Sequence, residues 1–445
     1  MDPTTLIIFI LAFASMVIIH EFGHYIAAIL CGIEVEEFAI GLPTPGSITY
    51  WIKQGWLLLQ DGRRIEIPRN FKITSNWNNL VNGEATFSVD QIDDRLVLRS
   101  VEATVTEQYS GAKAQLKGGK QIGIQRFNAA VAEVHPGTRF TIYWLPLGGF
   151  VRPKGENDPD IKGGLAAAKP WKRLIVLLAG PFMNLLAAVL IYSFIVMRMG
   201  AYDVNKVLIS SVSPDSPAQK AGLLAGDIFV TANGVTINNF DDLSGIVSAN
   251  SDKPVDFVVD RNGQTVALTA TPHMNTEAGR PMIGVGLSMP HLAITSSSEA
   301  LRWGAQYTSS NIRALISLPA RYFRGQLSSD QSRLVGLKGI YDIMQYSVEQ
   351  GKEASQTAPA SQPFDWYLPT LEIVASLSIS LGVFNLFPFP ALDGGRIIFV
   401  LPEMIFRRRV PHQFENLVHG LGMTVLLLLM IYINVMDFIK PINLP

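Results

Sequence analysis

Four long apolar stretches interrupt an otherwise polar chain, at 6–33, 174–197, 371–389 and 417–435. Each approaches or exceeds the roughly 20 residues that a helix needs to cross a bilayer. The third is the least regular, with Asn385 inside it and Pro388 and Pro390 at its end. Basic residues crowd one side of these stretches. Arg152, Lys154, Lys162, Lys169, Lys172 and Arg173 precede the second, and Arg396, Arg407, Arg408 and Arg409 lie between the third and fourth. Beyond the second comes Arg198, then nothing basic before Lys206. Short cytoplasmic loops carry the excess of Lys and Arg. The pattern therefore predicts spans at 1–33, 174–198, 369–395 and 417–436. It places 34–173 and the 396–416 loop in the cytoplasm, and both termini and 199–370 outside.

Between the first two spans the hydrophobic period shortens to that of strands. Trp56-Leu57-Leu58-Leu59, Arg64-Ile65-Glu66-Ile67 and Leu96-Val97-Leu98 are β-rich, and Asp61-Gly62, Asn82-Gly83 and Gly118-Gly119 are turn signals. A strand over 139–145, a turn at Pro146-Leu147-Gly148-Gly149 and a return through Phe150-Val151-Arg152 predict a hairpin. It is apolar on both faces and suited to dip into the membrane, where irregular backbone must be buried in protein or line a wet cavity.

Outside the membrane, 204–288 reads as one compact α/β unit. Ser216-Pro217-Ala218 opens a short helix that Gly222 ends, Asn233-Gly234 turns a strand, 240–247 is helical, and 255–260 pairs with 265–270 across Asn262-Gly263. This ordered string resembles a circularly permuted bacterial PDZ domain. The resemblance implies peptide capture by strand addition, with Ile283-Gly284-Val285 receiving the peptide end. The 291–368 region reads as amphipathic helix, lying on the outer membrane surface or packed on the PDZ unit. The fold expected is thus a polytopic α-helical membrane protein with four transmembrane helices, a membrane-associated β-hairpin, a β-rich cytoplasmic insert and an extracytoplasmic α/β PDZ domain.

Composition sharpens this picture in three ways. The mean hydropathy is +0.24 and 16% of the 445 residues are charged, against about 25% in soluble chains. A net charge of -1 gives no reason to expect nucleic acid. The single cysteine, Cys31, excludes a disulfide framework and a cysteine-based zinc site. The leader Met1-Asp2-Pro3-Thr4-Thr5 lacks the positive charge of a signal peptide, so the first span is expected to stay as a helix.

That first span contains His20-Glu21-Phe22-Gly23-His24. On a helix the two histidines share a face one turn apart, a spacing that holds one zinc, and Glu21 can act on a zinc-bound water. A third ligand is needed. Ala27 and Leu30 stand where a longer HExxHxxGxxH pattern wants Gly and His, and Glu34, Glu36 and Glu37 fall in a strand-like stretch. His135, His273, His291 and His412 lie outside the spans, and His419 sits near the start of the fourth. Asp393, in Asn385-Leu386-Phe387-Pro388-Phe389-Pro390-Ala391-Leu392-Asp393-Gly394-Gly395, is the better candidate. Ionisable groups at membrane depth face a bundle interior. Asn184 and Asn385 also read as hydrogen-bonding links between helices, Arg407–Arg409 as a topology signal, and Asp158 and Asp160 as a solvated loop.

HEFGH in the first span, Gly180-Pro181-Phe182-Met183-Asn184 in the second, the PDZ-like unit and the Asn385–Asp393-Gly394-Gly395 string together resemble the site-2 protease family, RseP type. Leu145–Val151 and Gly155-Glu156-Asn157-Asp158-Pro159 also match its first cytoplasmic loop. The resemblance implies an intramembrane zinc endopeptidase of a bacterial cytoplasmic membrane. It would cut the transmembrane helices of single-pass proteins such as anti-sigma factors. His20, His24 and Asp393 would bind Zn2+ and Glu21 would be the general base. Asn385 and Pro388 would hold the unwound substrate, and Leu147, Gly148 and Gly149 would pair with it as a strand. The insert over 44–138 departs from the family pattern, and one PDZ unit is found where relatives can carry two. A scaffold with a vestigial site would not need the intact His20, Glu21, His24 and Asp393 set. A transporter would predict repeated spans, which the sequence lacks.

Overall fold

The structure, a computed structural model, describes residues 2–69, 71, 80, 81, 83–92, 94–103, 108–110, 121–156, 158–275, 279–324, 333–357 and 365–442. The Gly118-Gly119 turn, Asn82, Asn157 and the Leu147 side chain lie outside what is described. The chain divides into two units, 1–191 with 307–445, and 192–306.

The first unit opens with α1 (Pro3–Leu30), started by Pro3 at its first turn and by the Asp2 carboxylate, which accepts the Thr5 N–H. Strands β1 (Val35–Leu42) and β2 (Ile48–Lys53) follow. The chain then leaves this sheet for six strands: β3 (Trp56–Leu59), β4 (Arg64–Glu66), β5 (Glu84–Ile92), β6 (Arg95–Ala103), β7 (Gln108–Ser110) and β8 (Gln121–His135). Because β4 pairs with both β3 and β6, the order β4-β3-β8-β5-β6 closes on itself. The insert is therefore a small barrel, an arrangement that removes sheet edges. Its inward positions, among them Leu57, Leu59, Ile65, Phe87, Val89, Leu98 and Val131, form their own core.

The chain returns through β9 (Thr138–Ile142) and β10 (Leu145–Pro153). The hairpin expected over 139–152 does not form. The sheet order is β10-β1-β9-β2, so β1 lies between the two strands, parallel to β9 and antiparallel to β10. Val35, Glu37, Phe38 and Ala39 are buried, which suits β1 to the interior position. The Tyr143-Trp144 link passes over the end of β1 at Gly41, where Tyr143 N–H donates to Ile40 O at 2.9 Å. Gly41 has φ +91°, and a Cβ there would meet Leu145 O and Tyr143. Pro146–Gly149 consequently belong to the edge strand β10 rather than to a turn.

Among the described residues, four helices are long and apolar enough to cross a membrane: α1, α2 (Pro170–Met199), α7 (Leu368–Leu386) and the span Gln413–Ile439 of α9 (His412–Ile439). Between α2 and α7 come the strands and short helices of the second unit and then α5 (Ser297–Phe323) and α6 (Leu337–Thr357). Two expectations change here. The α6 helix packs against α1, α7 and α9 rather than lying on the membrane surface or the PDZ unit. Asp437 explains this: its buried carboxylate accepts the N–H groups of Gly336 and Gly339 at the α6 N-terminus and pairs with Arg333. Second, Asp393 is not inside the third span. The α7 helix stops at Leu386 because Pro388 and Pro390 cannot continue it. Asp393 begins a separate helix, α8 (Asp393–Phe406), which occupies most of the expected 396–416 loop.

The second unit holds β11 (Ala201–Tyr202), β12 (Val207–Val212), α3 (Pro217–Ala221), β13 (Ile228–Ala232), β14 (Val235–Thr236), α4 (Phe240–Ala249), β15 (Val255–Arg261), β16 (Gln264–Ala270), β17 (His273–Asn275), β18 (Arg280–Met282), β19 (Val285–Ser288) and β20 (His291–Leu292). Its main sheet runs β16-β15-β13-β12-β19, with β19 at an edge. The expected punctuation is present: Ser216 caps α3, Gly222 ends it at φ +84°, and Asn262-Gly263 turns β15 into β16 with both φ positive.

One ion pair fastens this unit. Asp227 is 1% exposed and takes two 2.7 Å bonds from Arg261. Burial pushes its carboxyl upward, but the Arg261 guanidinium and the Leu224 N–H outweigh it and hold the group below the ordinary carboxylate range. A depressed folded pKa contributes stability above the unfolded value of about 3.9 and loses it as pH falls through the folded value. Asp227→Asn should therefore unfold more easily than wild type at pH 7, with the gap closing below about pH 4. Hydrogen exchange of the β12, β13 and β15 amides across that range checks this; a gap constant with pH would contradict it.

Candidate metal centre

The helices α1 and α2 approach through small residues. Gly23 faces Ala179 and Met183, and a Cβ on Gly23 would strike the Ala179 carbonyl. Gly180 faces the two imidazoles, and a Cβ there would strike both rings. Close approach of this kind is how helices associate without a hydrophobic driving force. Next along α2, Pro181 O lies against Gly382 of α7, and Ser378 of α7 donates to Asn184 O at 2.9 Å. The same contacts that join three helices thus bring His20 and His24 to the centre of the bundle.

The break between α7 and α8 delivers Asp393 to the same point. Gly394 and Gly395 pack so tightly against the carbonyls of Leu386, Phe387 and Phe389 that neither position has room for a side chain. Asp393 Oδ2 lies 3.2 Å from His20 Nε2 and 3.3 Å from His24 Nε2, and the two nitrogens are 3.2 Å apart. Of the His, Cys, Asp and Glu groups among the described residues, these three form the one cluster compact enough for a metal.

Protonation decides what this triangle can do. His24 Nδ1 is 2.7 Å from Val176 O, which can only accept, so Nδ1 carries a proton and, in the neutral ring, Nε2 is the free lone pair. Asn184, fully buried, places its amide 3.2 Å from His20 Nδ1. Its Nδ2 faces the ring and its Oδ1 has no partner among the described residues. The reversed amide, identical in shape, gives that oxygen the Nδ1–H of His20. Both imidazoles then aim lone pairs at Asp393 Oδ2, which is itself buried without a hydrogen-bond donor. Two nitrogens and a carboxylate oxygen at this spacing are held together by a shared proton or by a metal ion among them. Ligands about 2.0–2.1 Å from a tetrahedral zinc stand roughly 3.3 Å apart, and a catalytic site keeps its fourth position open. The triangle has that size.

Glu21 is held beside the pair by the sheet. Val151 N–H, on the edge strand β10, donates to Glu21 Oε2 at 3.0 Å. Gly149 packs near Glu21 and Val17, and Gly148 adopts φ +111°, a conformation only glycine takes readily. Of the other residues singled out in the sequence, Asn385 is half-buried in the last turn of α7 and Pro388 is exposed in the break. Among the described contacts, neither touches the triangle. In the sequence Asn184 reads as a link between helices, and nothing there marks Val176 or Val151. A fully apolar stretch with one amide eight residues after a backbone acceptor carries no signal for either contact.

Comparison with known proteins extends over nearly the whole molecule. The zinc metalloprotease RasP of Geobacillus kaustophilus is 28% identical over 98% of each chain. The regulator of sigma-W protease RasP of Bacillus subtilis is 26% identical over 98% of each. The metalloprotease MmpA of Caulobacter vibrioides is 26% identical over 94% of this chain and 91% of its own. Among solved structures, the PDZ domain of an SdrC-like protein of Listeria monocytogenes covers 20% of this chain and 90% of its own at 22% identity, with a TM-score of 0.18. The PDZ reading rests instead on the strand order and caps of the 192–306 unit. The model of peptidase family M50 matches residues 8–54 and 121–429 and passes over most of the inserted barrel. With both halves of the site inside that match, the chain belongs to peptidase family M50.

Proposed function

We propose that this chain is an intramembrane zinc endopeptidase that cuts single-span membrane proteins within their transmembrane segments. The observation that carries the reading is the His20–His24–Asp393 triangle, whose lone pairs converge inside a bundle of apolar helices. These residues would hold the metal. Zinc, when bound, supplies Lewis-acid polarisation of the scissile carbonyl and acidifies the attacking water.

The protein's own groups do the rest. Glu21 takes the proton of the attacking water on its carboxylate and returns it to the leaving amine. The Val151 N–H keeps that carboxylate oriented. Val176 O accepts the Nδ1 proton of His24 and fixes that ring's tautomer, and the Asn184 amide orients the His20 ring from its Nδ1 side. A helical substrate buries its carbonyls in its own hydrogen bonds and must unwind before attack. The edge strand β10, with Leu147, Gly148 and Gly149, offers backbone to which the unwound segment adds as a strand. Asn385 and Pro388, at the α7–α8 break, flank its path. The basic flanks favour a cytoplasmic position for 34–173 and for α8, with the PDZ unit on the opposite side of a bacterial cytoplasmic membrane. A peptide would join the PDZ sheet at the β19 edge, beside Ile283-Gly284-Val285. Membrane-anchored regulators such as anti-sigma factors fit the substrate class.

Two variants test the assignment in detergent with a single-span substrate. Glu21→Gln should keep one zinc per chain and lose cleavage by about 10²-fold or more; a fully active variant would sink the mechanism. Asp393→Ala should lower zinc occupancy on metal analysis. Unchanged occupancy would mean that another residue completes the site.

A further inference from the structure

One ionisable residue within the fourth span is left unexplained by the catalytic set. His419 lies on α9, and its Nδ1 accepts the Ala391 N–H at 2.9 Å. Ala391 stands two residues before Asp393 with φ +78°, in the left-handed region that side chains other than glycine rarely adopt. One turn on, Gly422 meets Pro390 so closely that a Cβ would strike its backbone. The His419 ring also rests against Phe399 of α8, with centroids 5.6 Å apart. One face of α9 thus grips both the break and the helix that Asp393 begins. An ionisable side chain inside a span is costly unless it has a task. The opposite nitrogen, Nε2, is buried without a partner among the described residues, so the Ala391 contact is the polar bond that this ring makes there.

We propose that His419 is a positioning residue for the third metal ligand: by accepting the Ala391 N–H it holds the left-handed turn that aims Asp393 at His20 and His24. The ring contributes a lone pair at Nδ1 and needs no change of charge. The inference rests on the metal reading above.

The test is zinc affinity of the full chain in detergent, by chelator competition, with thermal unfolding measured in parallel. His419→Ala should bind zinc about tenfold more weakly or worse, the usual cost of losing an outer contact to a metal site. His419→Asn places an amide oxygen where Nδ1 was and should stay near wild type, whereas His419→Gln, whose amide reaches the Nε2 position, should resemble the alanine variant. Ala391→Gly added to His419→Ala should restore most of the affinity, because glycine reaches φ +78° unaided; a purely packing role for the ring gives no such rescue. Wild-type affinity in His419→Ala overturns the proposal, as does an asparagine variant as weak as the alanine one. If His419→Ala does not fold, His419→Asn against His419→Gln decides alone, equal affinities overturning it. A wild-type protein that takes up no zinc overturns the metal reading itself, and this inference with it.

Discussion

Two imidazole nitrogens and a carboxylate oxygen stand 3.2–3.3 Å apart in an apolar bundle, close enough that a proton or a metal ion must lie between them. Burial removes the water that would otherwise screen the lone pairs. The remaining polar groups of the bundle serve to keep those lone pairs aimed inward. Val176 O accepts the outward proton of His24, the Asn184 amide lies against Nδ1 of His20, and Ser378 secures the backbone of Asn184. A metal site inside a membrane depends on its outer contacts more than a soluble one does, because no solvent replaces a missing partner.

Bringing these groups together requires backbones to touch. Lipid does not drive helices together as water does, so the bundle relies on shape. Gly23 against Ala179, Gly180 against the imidazoles and Gly382 against Pro181 O set the spacing of α1, α2 and α7. Asp393, the third member of the triangle, comes from a break instead. A continuous α7 would carry Asp393 along its axis away from the histidines; Pro388 and Pro390 stop it, and Gly394 and Gly395 let the chain fold back onto the carbonyls it leaves exposed. Irregular backbone at this depth must be buried in protein or line a wet cavity, and the packing of α9 against Pro390 and Ala391 supplies part of that cover.

The parts of this design legible in the sequence are those encoded locally. Four charge-poor stretches give the four long apolar helices, HEFGH gives two histidines on one helical face, and Asn-Gly and Ser-Pro strings give the turns and caps of the 192–306 unit. Asp393 was legible as a carboxylate with no other reason to sit beside an apolar stretch. The parts that were not legible depend on partners distant in sequence. The 139–152 segment has every local sign of a hairpin, and only the insertion of β1, a hundred residues earlier in the chain by rough count, shows that its strands are not neighbours. The closure of the barrel turns on the parallel β4–β6 pairing, which no local pattern announces. The α6 helix reads as a surface amphipath until Asp437, on α9, is seen to hold its first turn.

The sheet and the bundle meet at Glu21, and under the proposed function that meeting would link substrate binding to chemistry. The Val151 N–H points toward the α1 carboxylate, so Glu21, the proposed general base, is oriented by the edge strand that is proposed to receive an extended peptide. A segment adding to β10 would lie against the side from which Glu21 is held, and its scissile bond would be set in register with the base by backbone pairing rather than by side-chain recognition. Such a device is indifferent to sequence and sensitive to conformation. It would favour a transmembrane helix that unwinds easily over one that merely carries a preferred residue, and so shifts the basis of selectivity from pocket chemistry to the stability of the substrate's own helix.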